Sequence, residues 1–246
     1  MYILKTAFIA LSIAMLAACA ATPQAPVSLS GDFLGDSEKK VGVAMTEVPE
    51  LDVHLPGAAC LLCLAVAETA NSSLSKHTKT LTADGVEEIK NSLADLMNES
   101  GTSSIVIDDN LDIAALPKFS SKEVNTTKRD FRSLKETHGI THLLVVDISQ
   151  IGFIRNYANY VPTSDPKGLF SGESYLVNLN NNTYEWYRPL DIHKSVADGW
   201  KEPPAFPGLT NAFYQALETG KEQILQPFNS ETGIAVREAL SDNSAD

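Results

Sequence analysis

The segment His142 to Ile148 carries four consecutive apolar residues at its centre, Leu143-Leu144-Val145-Val146. A strand with one wet face would alternate apolar and polar side chains, so this run predicts a central strand buried on both faces. Every other element must be placed against that strand.

The flanking pattern supplies them. Lys39 to Met45 reads as a short buried strand, and Ser104 to Ile107 as another. Residues 84–100 place Val86, Ile89, Leu93, Leu96 and Met97 at helical spacing, with Thr82 or Asp84 as cap and Gly101 as stop. Thr127 to His138 predicts a second helix, ended by Gly139. Ile151 to Val161 reads as extended. Ser174 to Leu179 and Thr183 to Ile192 alternate around an Asn180-Asn181-Asn182 turn, which predicts consecutive antiparallel strands with Tyr184, Trp186, Leu190 and Ile192 aligned. Pro207 opens a final helix whose stripe runs from Leu209 to Leu225, and Pro227 ends it. The expected order is β-α-β-α-β-β-β-α. The fold class is α+β, an α/β sandwich of one mixed sheet with helices packed on it.

The first nineteen residues set the address. Lys5 precedes an apolar run from Ala7 to Leu16, and small residues then lead to Cys19. This is the layout of a secretory leader. The run is about half the roughly 20 residues that cross a bilayer, which argues against a transmembrane helix. An ordinary leader that leaves Cys19 as a plain thiol is the other alternative. Residues 19–38 are small and polar and are expected to form a tether. The expected organisation is a leader over 1–18, a tether over 19–38, one α/β domain over 39–228 and a polar tail over 229–246.

Charge removes one class of function. The chain is 246 residues with a net charge of −12, and it becomes −13 once Lys5 leaves with the leader. An acidic surface repels phosphate backbones, so no nucleic-acid partner is expected.

Chemistry-bearing residues are few. Cys60-Leu61-Leu62-Cys63 is the one constellation with reactive potential. An oxidising compartment would pair these thiols. A Cys-x-x-Cys at a helix start can also lower a thiol pKa, whereas the apolar surroundings, Ala58-Ala59, Leu61-Leu62 and Leu64-Ala65-Val66-Ala67, would raise it. A structural disulfide, two reduced buried cysteines, and a redox or metal role all remain open. The nearly uncharged stretch Val53 to Ala67 predicts a helix buried in the core, with a membrane or partner contact as the alternative. His138 and His142 are four apart, a ligand spacing on a helix, but Gly139 breaks that geometry and no metal site is expected. No Gly-x-Ser-x-Gly and no Gly-rich phosphate loop is present, so no catalytic residue and no cofactor is expected. Two proline-rich segments, Pro162 to Gly168 and Trp200 to Pro207, read first as stiff connectors between the strands and the last helix, with Asp165, Trp200 and Phe206 as possible partner contacts in the alternative.

Leu16-Ala17-Ala18-Cys19 resembles the lipobox of bacterial lipoproteins. The resemblance implies cleavage before Cys19, a diacylglycerol on its sulfur and an acylated amino end, hence a firm hold on the bilayer. Ala20 stands where an aspartate would resemble an inner-membrane retention signal, which favours the outer membrane. The stretch Leu176-Val177-Asn178-Leu179-Asn180-Asn181-Asn182-Thr183-Tyr184-Glu185-Trp186 resembles the late strands of periplasmic α/β domains in curli-secretion lipoproteins and in lipoprotein activators of penicillin-binding proteins. The body also resembles a group of proteobacterial lipoproteins of unassigned function. These resemblances imply a periplasm-facing, non-enzymatic accessory that binds another envelope protein. A thiol–disulfide protein using Cys60 and Cys63 and a small-ligand binder are the alternatives.

Overall fold

The computed structural model describes residues 23–197 and 199–229. Its centre is a six-stranded mixed sheet. The strands are β1 (Lys40–Met45), β2 (Asp52–His54), β3 (Ser103–Val106), β4 (His142–Ile154), β7 (Lys167–Asn178) and β8 (Thr183–Lys194). The strand order is β3-β1-β4-β7-β8, and β2 pairs with the far end of β4. The β3-β1-β4 and β2-β4 pairings are parallel, while β4-β7-β8 is an antiparallel meander. Two short strands, β5 (Tyr157–Ala158) and β6 (Val161–Pro162), form a separate hairpin after β4. The fold is α+β, as the alternation of helical and strand periods requires.

The run Leu143 to Val146 is fully buried on both faces. On one face, Val41, Val43, Leu144, Val146, Leu176 and Trp186 meet the helices. These helices are α2 (Ser72–Thr78), α3 (Ile89–Glu99) and α5 (Pro207–Leu225), with Leu74 of α2, Leu93 and Met97 of α3 and Phe213 and Leu217 of α5 in the core, while α1 (Leu61–Ala70) leads into α2 and contributes no residue to it. At Gly220 a Cβ would strike the Phe170 ring, so glycine sets how closely α5 lies on the sheet. The other face has one short helix, α4 (Ser133–His138), and is otherwise covered by loops. Phe131, Ile140, Tyr175, Val177 and Tyr187 form its core, with Val27, Ile113 and Leu116 packed against them.

Several expectations are corrected. The helix predicted from 84 begins only at Ile89, because Gly85 takes a left-handed conformation (φ 79°) and holds the preceding residues in turns. The helix predicted over 127–138 shrinks to Ser133–His138. Asn182, fully buried in the turn after β7, captures the rest: its Oδ1 accepts from Phe131 N at 3.0 Å and its Nδ2 donates to Arg129 O at 2.7 Å. The central strand does not stop at Ile148. A bulge at Ser149 shifts the alternation by one residue, so Ile151 and Phe153 continue the face of Val146 and Ile148. A second bulge, at Glu185, separates Tyr184 from Trp186, which therefore lie on opposite faces rather than aligned.

The segment read as a tether is also different. Cys19 lies outside the described residues, as does most of the tail, 230–246. From Pro23 onward the chain lies on the body: Val27 bridges Tyr187 on the outer edge of β8, and Phe33 is 1% exposed, edge-on to the His142 ring at 5.4 Å. The small, polar composition hid one aromatic that outweighs it.

Candidate functional site

The region around Cys60 and Cys63 forms a raised tip at the far end of β4. β2 pairs with Gly152–Ile154 there, and the chain then climbs through Pro56-Gly57 into α1. The hairpin β5–β6 rises beside it. Two backbone hydrogen bonds join the segments, Tyr157 N to Pro56 O at 2.8 Å and Asn159 N to Gly57 O at 3.0 Å. Gly57 has φ 88°, and a Cβ there would overlap the Tyr157 carbonyl, so only glycine fits.

α1 buries only a narrow stripe, Cys63 and Ala67, which continues through Asn71 and Leu74. Below that stripe is a polar support. The Asn71 amide donates to Ala67 O and to Tyr157 Oη, each at 2.7 Å, and accepts from Arg155 Nη1 at 3.1 Å. Arg155 also donates to Ser164 O at 3.2 Å, and its guanidinium lies 4.8 Å from the Trp200 ring centroid. These bonds fix the helix with its other side outward.

That outward side is apolar. Leu61 is 91% exposed and Leu62 64%, with Leu64 and Val66 on the same helix and Tyr160 and Val161 on the hairpin also exposed. The expectation that Val53 to Ala67 is buried is therefore overturned. Residues 61–67 are all apolar and so carry no periodicity to say which face turns inward. Here the inward face is chosen by small residues and an asparagine, not by the leucines.

Cys60 and Cys63 are joined as a disulfide, with Cα atoms 4.9 Å apart. Cys60 is exposed and is the N-cap of α1, its Sγ accepting from Cys63 N at 3.0 Å. Cys63 is 1% exposed.

The other sequence candidates gather nearby in part. Trp200 is half-buried, clasped between Arg155 and a stacked Phe206 whose ring is 6.3 Å away. Phe206 is 3% exposed, packed against Trp200 and His77, and so cannot serve as a surface contact in this conformation. Burial holds the His77 imidazole below its usual pKa. Asp165 is exposed in the loop that returns from the hairpin. Among the described residues no cluster of three His, Cys, Asp or Glu could hold a metal ion. His142 faces Glu185, not His138; its Nε2 lies 3.2 Å from Glu185 Oε2, at ion-pair distance without hydrogen-bond alignment.

A second concavity lies on the loop-covered face, which the sequence reading missed. It holds about 420 Å³ and is lined by Tyr175, Tyr184, Tyr187, Asp147, Glu173 and, from the docked N-terminal segment, Gln24. Tyr187 Oη donates to Glu173 Oε2 at 2.5 Å. Burial, with Glu173 close by, pushes the Tyr184 phenol up to about 12 and also raises Tyr187 and Tyr175 above the ordinary value. The bulge at Glu185 creates this aromatic group, and a bulge leaves no sign in a period-two pattern.

No known protein family matches the chain, and no curated protein matches it in sequence. Solved structures resemble it weakly. The PelC dodecamer of Paraburkholderia phytofirmans is 8% identical over 83% of this chain and 95% of that one, with a TM-score of 0.36. Protein XCC0632 of Xanthomonas campestris is 13% identical over 88% and 97%, at 0.38. Lipoprotein GNA1162 of Neisseria meningitidis is 11% identical over 74% and 99%, at 0.29. Likeness at this level carries no argument about function. Among the described residues no helix is long and apolar enough to cross a membrane.

Proposed function

We propose that the chain is a lipid-anchored, non-enzymatic envelope accessory that docks another envelope protein through the apolar tip. One observation carries the reading. The tip holds four apolar residues of α1 and two hairpin residues in water, on a scaffold tied by the Asn71–Arg155–Tyr157 bonds. A contiguous exposed apolar patch on a rigid support marks an interaction surface.

Position supports a protein partner over the anchoring bilayer. Pro23 follows Cys19 by four Cα-to-Cα steps, a reach of at most about 14 Å. Gln24 bonds Asn125, which lies against the start of β8, whereas the tip stands beside the end of β4, level with Lys194. Those two ends of β8 are about 35 Å apart at roughly 3.3 Å per residue. An anchor on Cys19 would hold the start of β8 at the membrane and the tip away from it, at a raised effective concentration for partners in that layer.

The test is in-cell photo-crosslinking of the full-length chain from position 62, with captured species identified by mass spectrometry. One dominant envelope protein, lost in a Cys19→Ser form, is the expected result. Crosslinks to lipid alone, or none above background, overturn the reading.

A further inference from the structure

We infer that the Cys60–Cys63 disulfide is exchangeable, and that Cys60 is the sulfur attacked by a thiol of the docked protein. The inference rests on the docking reading in one respect, that the leucines seat the partner; the exchange chemistry stands on the geometry of the tip.

The two sulfurs are unequal. Cys60 is exposed, and Cys63 is buried on the inward stripe of α1. Only Cys60 can be approached by a sulfur from outside, and access decides which sulfur is attacked. Its position also suits a thiolate. Cys60 caps a ten-residue helix, Cys63 N already donates to its Sγ at 3.0 Å, and the first turn contains no acid. The positive end of the helix dipole and that N–H both stabilise negative charge on Cys60. Tyr160, from the hairpin, is the titratable group turned toward this sulfur, its Oη 4.0 Å from Sγ. An apolar setting would oppose a thiolate only by excluding water. Leu61 and Leu62 face solvent, so that objection from the sequence falls away.

The step is balanced within the two proteins. A partner thiolate attacks Cys60 Sγ, a partner–Cys60 disulfide forms, and the Cys60–Cys63 bond breaks. Cys63 leaves as the thiolate and takes a proton from solvent. A second partner thiolate then attacks the partner's own sulfur and releases Cys60. The partner dithiol is oxidised by two electrons and the Cys60–Cys63 pair is reduced by two.

The test uses the full-length chain. After mild reduction, each thiol is pulse-alkylated with iodoacetamide at pH 7 and located by mass spectrometry. Cys60 should react several-fold faster than it does in the denatured chain, as a thiolate stabilised at the head of a helix requires. In cells, C63S should accumulate mixed disulfides and C60S should not. A Cys60 rate no faster than in the denatured chain, or equal trapping by the two variants, overturns the inference. If C63S fails to fold, the alkylation of wild-type protein decides alone. Crosslinking from position 62 in oxidised protein reads docking without thiol chemistry, so the two proposals fail separately.

Discussion

Asn71 donates to Tyr157 across 86 residues of sequence, at 2.7 Å, and this bond joins the end of α1 to the hairpin beside it. Asn71 is 2% exposed and its other partners are Ala67 O and Arg155. Asn71→Ala leaves those groups unsatisfied and should cost about 2–3 kcal/mol. Urea denaturation measures the loss, and hydrogen exchange at α1 should rise before that of β4.

Leu61 and Leu62 contribute to surface, not core. Leu61→Ser with Leu62→Ser should change stability by no more than about 0.5 kcal/mol and abolish partner capture. Leu74→Ala, one turn below on the buried stripe, should cost about 2–5 kcal/mol. A large destabilisation by the serine pair would show that the leucines are packed.

Glu185 links stability to pH. The His142 imidazole, and next the Asn178 amide, hold its carboxyl below the usual value of 4.5, against the effect of burial. A depressed carboxyl pKa stabilises the fold above the unfolded value and loses that contribution as pH falls through the folded one. Unfolding free energy should therefore decline below about pH 4.5. In Glu185→Gln the decline should be shallower, as denaturant titrations between pH 3 and pH 6 would read.

The tyrosine group acts at the alkaline end. The Tyr184 phenol is pushed up to about 12 in the folded chain, and Tyr175 and Tyr187 are likewise raised above the ordinary 10.0. Raised phenol pKa values stabilise fully below pH 10 and lose effect as pH rises toward the folded values. Ultraviolet titration should show these three phenols ionising only with unfolding. Tyr187→Phe, which removes the bond to Glu173, should cost about 1.5–3 kcal/mol.

Phe33 belongs to the folded body. Phe33→Ala should cost about 3–5 kcal/mol. A chain beginning at Lys39 should melt well below one beginning at Ala20, in thermal scans monitored by circular dichroism. Equal melting temperatures would restore the tether reading for residues 23–38.

Local pattern carried most of the architecture. The apolar run Leu143 to Val146 announces a doubly covered strand, Asn180 to Asn182 announces a turn, and the stripe from Leu209 to Leu225 announces the long helix. Each signal is a short-range period or a turn residue, and the structure places each element there. Register was not legible. The bulges at Ser149 and Glu185 move Ile151 and Tyr184 to faces opposite those a strict alternation assigns.

The sequence by itself determined the fold class, and it singled out the Cys60/Cys63 pair as the reactive candidate. The tertiary structure decided which groups face water. The first seven residues of α1 are all apolar, so their pattern does not select a buried face. Asn71, reaching Tyr157 and Arg155 from a distant hairpin, makes the selection and leaves Leu61, Leu62 and Cys60 exposed. Phe33 is buried because Val27 pairs with Tyr187 and brings the leading segment onto the sheet edge. Both outcomes depend on partners far apart in the chain, which no local period encodes.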